Sequence, residues 1–200
     1  MYDPQIDGRT LSFGVSGKLY KSNLLMFDRQ TDSLWSQLLQ QAITGPLTGK
    51  KLTMLPAEHT TWDAWRSRHP ETLVLSPETG FKRDYGLDPY QRYREEGVPV
   101  FSRRGATSSR KSDKLKPMER VLGVQLNGVK KAYPFSALKK LLPEVEDRLG
   151  PTPIRIQFDK KNESAFVTDR TGTVVPSVVL FWFAWMDFYP DTLLFAANQN

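Results

Sequence analysis

The alternation of hydrophobic and polar positions along the chain predicts short β-strands joined by tight turns. Asn127-Gly128 stands between two runs, residues 121–126 and 129–133, in which apolar and polar positions alternate or cluster. An Asn-Gly pair with such flanks is a strong short-range signal for a β-hairpin. Residues 154–168 show a second pair of alternating runs around a polar turn. The second half of the chain is therefore predicted to contain antiparallel sheet.

The first half shows the same kind of pattern with more turn residues. Extended runs occupy residues 10–15 and 23–27, and a further hairpin is predicted over 42–55. Helical periodicity is confined to short segments such as 134–142. Many short strands with a few short helices predict a β-rich α+β fold.

One stretch, residues 55–75, recurs 120 positions later as residues 175–195. Aligned without gaps, the identical residues are Pro56, Trp62, Ala64, Trp65, Pro70, Thr72 and Leu73, which return as Pro176, Trp182, Ala184, Trp185, Pro190, Thr192 and Leu193. Four of the five tryptophans lie in these copies, so chance is a poor explanation. Each copy is predicted to be an extended segment, a short helix, a proline and a strand, with Thr60 as the first helix cap and the first strand at 73–75. The chain is therefore predicted to contain two related modules of antiparallel strands, each with a short Trp-containing helix.

The two copies differ on their surfaces. Five polar or charged residues, Thr60, Thr61, Asp63, Arg66 and Arg68, are replaced in the second copy by Leu180, Phe181, Phe183, Met186 and Phe188. A helix that is apolar on all sides must be enclosed. These five residues are therefore predicted to form an interface, covered either by the first half of the chain or by a second chain in a homo-oligomer.

Positive charge marks the predicted boundary between the modules. The net charge is +6, and residues 102–117 contain six Lys or Arg against Asp113 alone. This polar segment is predicted to be a flexible linker between a first module at 1–101, which ends in an aromatic loop at 76–101, and a shortened second module at 118–200. Because it lacks aromatic residues for base stacking, a solvated tether is favoured over a nucleic-acid-binding arm.

Composition excludes several classes of site. The chain has no cysteine and only two histidines, which argues against a metal centre, and no cofactor-binding motif is present. The longest nearly apolar run, 174–186, is shorter than the ~20 residues that cross a bilayer. No signal peptide follows Met1, so a soluble protein without a membrane span is expected, in a compartment that the sequence does not specify.

The best candidate ligand site is a polar cluster near one aromatic ring, formed by Asp28, Arg29, Trp35, Ser36 and Gln37. A carboxylate, a guanidinium and an amide can together orient a polar ligand. The competing interpretation is an Asp-Arg pair that fixes a turn, with Trp35 in the core.

Other candidates are weaker when the two copies are compared. His59 and His69 have the chemistry of acid/base groups, but Val179 and Tyr189 take their places in the second copy. The pair Trp62 and Trp65 has the chemistry of a stacking platform, yet its counterpart lies in an apolar segment, which favours packing.

The function predicted from these observations is a module that binds a small ligand or a protein partner. The enzymatic alternative is a hydrolase-like activity with Asp28 or Asp84 as the base. Nucleic-acid binding through residues 103–116 is the least favoured alternative.

Several stretches resemble one known family. They are residues 7–17, Asp28-Arg29 with 33–37, Thr60-Thr61-Trp62, and 121–124 through Ala132-Tyr133-Pro134. This pattern resembles the prokaryotic family called domain of unknown function 3179. The resemblance implies a duplicated module of unestablished activity, in a family whose members are often exported. Family members usually carry an earlier copy of the 123–134 type of stretch and a Cys-Pro-containing strand, so the first module is expected to be incomplete at its N-terminus.

Overall fold

The computed structural model describes residues 1–21, 23–88, 90–97, 114–141 and 143–196. The first half contains β1 (Gln5–Ile6), β2 (Arg9–Thr10), β3 (Phe13–Tyr20), β4 (Asn23–Asp28), β5 (Leu34–Ser36), β6 (Gln41–Thr44), α1 (Trp62–Arg68) and α2 (Gln91–Glu96). The second half contains β7 (Arg120–Leu126), β8 (Val129–Pro134), α3 (Phe135–Leu138), β9 (Glu144–Leu149), β10 (Thr152–Asp159), β11 (Ser164–Asp169), β12 (Val174–Val175), β13 (Ser177–Phe181), α4 (Trp182–Phe188) and β14 (Leu193–Leu194). The protein is a β-rich α+β protein, as predicted.

The described strands form three four-stranded sheets and one small hairpin. The first half contributes the sheet β3-β4-β5-β6 and the hairpin β1-β2, while the second half contributes β12-β11-β10-β9 and β13-β7-β8-β14. All described pairs are antiparallel except β14, which runs parallel to β8. In the β7-β8 turn, Asn127 and Gly128 both have positive φ, as the two-residue hairpin turn requires. The predicted Asn-Gly hairpin is confirmed.

The sheet β13-β7-β8-β14 is covered on both faces. Leu122, Val124 and Tyr133 pack toward the neighbouring sheet β9–β12. Val121 and Ala132, which alternate with them along the strands, pack against α4 together with Leu38 from the first half. Side chains alternate across a strand, so one sheet serves two apolar layers. The first half has its own smaller core around Trp35.

Two sequence predictions about the first copy are wrong. Residues 73–75 form no strand, and the helix cap is Thr61 rather than Thr60, since the Thr61 Oγ1 accepts a hydrogen bond from the Ala64 N–H at 3.3 Å. A strand needs a neighbouring backbone to pair with, and the local pattern at 73–75 carries no information about one. The helix predicted at 134–142 is also shorter, spanning Phe135–Leu138.

Only part of the predicted aromatic loop and part of the predicted linker lie within the described residues. In the aromatic loop at 76–101, the side chains of Phe81, Tyr85 and Tyr90 are exposed. Most of the predicted linker, 102–117, lies outside the described residues. Its last residues, 114–117, contact the second half, where Leu115 packs beside α4.

Candidate functional site

The turn after β4 positions the first predicted site residue, Asp28. Its carboxylate Oδ1 accepts hydrogen bonds from the Thr31 backbone N–H at 2.6 Å and the Thr31 hydroxyl at 2.9 Å. The Asp28 backbone N–H donates to the Ser33 carbonyl at 3.1 Å and closes the turn. An Asp side chain that bonds its own backbone a few residues on is a common turn device. This turn brings the chain back into β5, which begins at Leu34.

Trp35 lies on β5 and its indole Nε1–H donates to Asp28 Oδ2 at 2.8 Å. Both side chains are buried. Burial alone would raise the pKa of Asp28, but the hydrogen bonds from Trp35 and Thr31 outweigh it and hold the pKa below its ordinary value. The carboxylate is therefore a charged structural anchor with little access to solvent.

The rest of the predicted cluster does not converge on Asp28. Arg29 is exposed, and its guanidinium lies 5.4 Å from the centre of the Phe27 ring. Ser36 is buried and its hydroxyl accepts from the Leu39 N–H at 3.3 Å. The Gln37 amide nitrogen donates to the Leu24 carbonyl at 3.1 Å. Of the five predicted residues, Gln37 alone lines the cleft described next.

A cleft of about 320 Å³ lies between the two halves of the chain. The first half contributes Tyr2, Gln37, Leu38, Gln40, Leu52, Thr53 and Met54 to its walls, and the second half contributes Gly123, Gln125, Leu126, Val175, Pro176, Ser177 and Val178. None of these residues carries a charged side chain at neutral pH. The walls of the cleft are therefore uncharged and combine apolar side chains with amide and hydroxyl groups.

Two tyrosines lie beside this cleft, and Tyr189 joins the halves. The Tyr2 hydroxyl donates to the Gln37 carbonyl at 2.6 Å. The Tyr189 hydroxyl donates to the Leu38 carbonyl and accepts from the Gln125 amide nitrogen at 2.6 Å. Burial, and then the proximity of Tyr189, raises the pKa of Tyr2 to about 12, and burial raises the pKa of Tyr189 to about 12. Both tyrosines are therefore neutral hydrogen-bonding groups at physiological pH.

A second cleft, of about 350 Å³, lies on the first half alone. Its walls include Asp7, Arg9, Gln30 and Thr31, so the Thr31 hydroxyl separates it from the Asp28 carboxylate. Asp7 is paired with Lys50 at 2.6 Å. None of the five residues of the predicted cluster lines this cleft.

The predicted interface residues lie in α4 and in the two residues that precede it. Phe183 and Phe188 are buried, while Leu180, Phe181 and Met186 are half-buried. The first half contacts this helix through Tyr20, whose ring centre lies 5.8 Å from that of Phe188, and through Lys21, whose Nζ donates to the Asp187 carbonyl at 2.8 Å. Contact with a second chain through these residues stays a prediction.

The two histidines lie outside both clefts. His59 is exposed over part of its surface. The burial of the remainder, followed by the positive charge of Arg120, lowers the pKa of its imidazole. The ring of His69 packs on Trp65 with centres 4.2 Å apart, as Tyr189 packs on Trp185 at 4.5 Å. Asp84, the other candidate base, is exposed and accepts a hydrogen bond from the Gly86 N–H. The described residues contain no cluster of His, Cys, Asp and Glu suited to a metal ion.

Sequence reasoning missed Tyr2, Gln40, Gln125 and Tyr189. Tyr2 stands at the start of the chain, and Gln125 is one polar position in an alternating strand, so neither carries a local signal. Tyr189 was considered only as the counterpart of His69. Their common location follows from the packing of α4 against Leu38.

The fold and the cleft together define a β-rich α+β protein with an uncharged polar cleft between its halves. Across the described residues, no helix has both the length and the apolar character to span a bilayer. The family model described as "Protein of unknown function (DUF3179)" matches residues 1–174. The chain belongs to this family, and the resemblance found in the sequence is confirmed. No curated protein and no solved structure matches the chain.

Proposed function

We propose that this protein is a binding protein whose cleft between the halves takes a small uncharged ligand with hydroxyl or amide groups. The proposal rests on the chemistry of the residues that line the cleft. Gln37 and Gln40 face the cleft from one half, Gln125 and Ser177 face it from the other, and no charged side chain joins them. A concave, largely apolar site with a few polar groups from different elements is the usual form of a small-molecule site.

The size of the cleft sets the size of the ligand. Its volume of about 320 Å³ lies at the lower end of the ~300–1,000 Å³ typical of ligand pockets. Amide side chains both donate and accept hydrogen bonds, and they match hydroxyl and amide groups without requiring a counter-charge. A single neutral sugar unit fits within this volume and has this chemistry.

In this proposal the five residues of the predicted cluster have different roles. Gln37 contacts the ligand, while the Asp28–Trp35 hydrogen bond and the buried Ser36 fix β5 and the turn that follows it. Arg29 is turned toward Phe27 and contributes to neither task. A hydrolase-like role for Asp28 finds no support, because a buried carboxylate that accepts hydrogen bonds from three donors and has a lowered pKa is a poor base.

The proposal is tested by calorimetric titration with N-acetylglucosamine, which has both hydroxyl and amide groups, and with its charged relatives glucosamine and glucuronate. Only the neutral sugar is expected to bind. Gln37→Leu and Gln125→Leu should each weaken binding about tenfold, the effect of removing one buried hydrogen bond and leaving its partner unpaired. The matched control is Gln157→Leu, a glutamine on β10 that lies outside this cleft.

Two results would contradict the proposal. One is equal binding of the neutral and charged sugars, and the other is unchanged affinity in both cleft variants.

A further inference from the structure

Two glutamines on the first-half wall of the cleft have amide groups whose orientation is fixed. The Gln37 amide nitrogen donates to the Leu24 carbonyl at 3.1 Å, and the Gln40 amide nitrogen donates to the Met54 sulfur at 3.7 Å. A carbonyl oxygen and a thioether sulfur accept hydrogen bonds and have no proton to donate. Neither amide can therefore be turned around without placing its oxygen against another acceptor.

The glutamine on the opposite wall is oriented in the same sense by a tyrosine. The Tyr189 hydroxyl donates its one proton to the Leu38 carbonyl, so toward Gln125 it acts as an acceptor. The Gln125 amide nitrogen donates to it at 2.6 Å. The hydrogen bond that joins the halves thus also determines which end of the Gln125 amide is bonded to the protein.

The oxygen atoms of these three amides have no hydrogen-bond partner in the part of the chain that the structure describes. No described residue donates to the Oε1 atom of Gln37, Gln40 or Gln125, and none of these oxygens is buried. All three glutamines are half-buried and line the cleft. Each accessible oxygen has two lone pairs, whereas each nitrogen has one remaining N–H. The amides therefore offer more acceptor sites than donors.

Tyr2 adds an acceptor of the same kind. Its hydroxyl donates its proton to the Gln37 carbonyl at 2.6 Å, which leaves the lone pairs of the hydroxyl oxygen for another group. The hydroxyls of Thr53 and Ser177, which also line the cleft, can turn to donate or to accept. The polar side chains whose direction is fixed thus favour acceptance.

We infer that this cleft recognises its ligand as a hydrogen-bond donor, a neutral compound that carries several O–H or N–H groups. The inference rests on the proposed function and specifies the chemistry of the same ligand. The three glutamine oxygens and the Tyr2 hydroxyl oxygen accept from the ligand, while Tyr189 is a positioning residue that acts through Gln125. An ether, an ester or a ketone would place lone pairs against lone pairs and is rejected.

The donors belong to a neutral compound because the walls have no opposite charge for a cation. An ammonium group also donates hydrogen bonds, but transferring it from water into a site without a carboxylate costs more free energy than transferring a hydroxyl. No Asp or Glu is among the described residues that line the cleft. Hydroxyl and amide N–H groups are therefore the donors that match it.

The test uses the full chain and N-acetylglucosamine, with analogues in which one hydroxyl at a time is replaced by fluorine or by hydrogen. Fluorine is close to a hydroxyl in size and has lone pairs but no proton, whereas hydrogen has neither. A hydroxyl that donates to the wall is therefore lost equally in both analogues. Calorimetric titration is expected to show that, at each hydroxyl that contributes, both replacements weaken binding about tenfold.

Variants of the chain assign a ligand donor to its acceptor. In Gln125→Leu, replacement of one particular hydroxyl should cause no further loss of affinity, because its acceptor has already been removed. The matched control, Gln157→Leu on β10, should show the full loss at that hydroxyl.

Tyr189→Phe tests the positioning role. Without the tyrosine hydroxyl the Gln125 amide is free to turn and donate, so the fluorine analogue at the same hydroxyl should bind more tightly than the hydrogen analogue. A purely structural role of Tyr189 would lower stability without separating the two analogues, and that result would remove Tyr189 from the inference.

The outcomes distinguish this inference from the proposed function. Absence of binding by N-acetylglucosamine itself contradicts the proposed function and this inference with it. If the sugar binds, two results overturn the inference alone. One is a fluorine analogue that keeps the affinity of the parent sugar where the hydrogen analogue has lost it, and the other is unchanged affinity in every analogue.

Discussion

The indole N–H of Trp35 reaches the carboxylate of Asp28 at 2.8 Å, and both side chains are buried. This bond joins the turn after β4 to the middle of β5, seven residues away along the chain. It gives the core of the first half a buried negative charge whose hydrogen bonds come from Trp35 and Thr31. The stability of the first half should therefore depend on that charge.

Replacing Asp28 by Asn should lower the free energy of unfolding by about 1–3 kcal/mol. The amide presents an N–H₂ group where Trp35 and Thr31 both need acceptors, so a buried hydrogen-bonding group is left unsatisfied. Urea unfolding followed by tryptophan fluorescence measures the change. Asp169 bonds Thr171 and Thr173 in a similar turn but lies nearer the surface, so Asp169→Asn is the matched control. Equal losses in the two variants would show that burial of Asp28 is not the cause.

The pH dependence of stability follows from the lowered pKa of Asp28. Its folded pKa lies below the ordinary 3.8, so near and below that pH the unfolded state binds more protons than the folded state. The stabilisation is present in full above pH 3.8 and is lost as the pH falls through the folded pKa. Urea unfolding over this range should show a decline that is shallower in Asp28→Asn. An identical slope in the variant would contradict the assignment to Asp28.

The tyrosine pair predicts a second loss of stability, at alkaline pH. Tyr2 and Tyr189 have pKa values raised from 10.0 to about 12, so above pH 10 the unfolded state loses its phenolic protons first. The stabilisation is present below pH 10 and is lost as the pH rises toward 12. Tyr189→Phe should reduce this dependence and cost about 0.5–1.5 kcal/mol at neutral pH through the lost bond to Leu38. Tyr85→Phe, at an exposed tyrosine, should leave both unchanged.

Gly123→Ala should destabilise the second half. The new Cβ would lie 2.3 Å from the Trp185 ring, which is buried and has no room to move aside. Overpacking of this kind costs about 1–3 kcal/mol. Gly86→Ala is the control, because its Cβ would meet only the end of the Asp84 side chain, at 3.2 Å. Thermal unfolding compares the two, and a neutral Gly123→Ala would mean that the sheet and α4 separate easily.

The sequence pattern correctly predicted those elements whose backbone geometry is set by neighbouring residues. Asn127 and Gly128 specify their hairpin because their backbone angles suit that turn. Strand β3 continues through Ser16-Gly17, a pair typical of turns, with an irregularity in its pairing to β4 between Val15 and Leu19. The tertiary pairing, which a window of neighbouring residues does not contain, decided that outcome.

The site was harder to predict because its residues come from distant parts of the chain. Tyr2 and Tyr189 lie near opposite ends, and they approach only because α4 packs on Leu38. Asp28 and Trp35 are close in sequence and contact each other, but the sequence pattern does not distinguish a buried hydrogen-bonded pair from a pair open to a ligand. Residues 73–75 have the composition of a strand but pair with no strand among the described residues. Composition alone does not show whether such a partner is present.

The uncharged walls of the cleft have a consequence for the conditions under which the proposed binding would occur. Tyr2 is the one ionisable residue among the described residues that line it, and its proton is retained up to about pH 12. The donors and acceptors offered to a ligand are therefore the same in an acidic vesicle, in neutral cytoplasm and in alkaline surroundings. Salt also has little to screen there. A ligand held in this cleft would be retained across environments that release one bound through an ion pair.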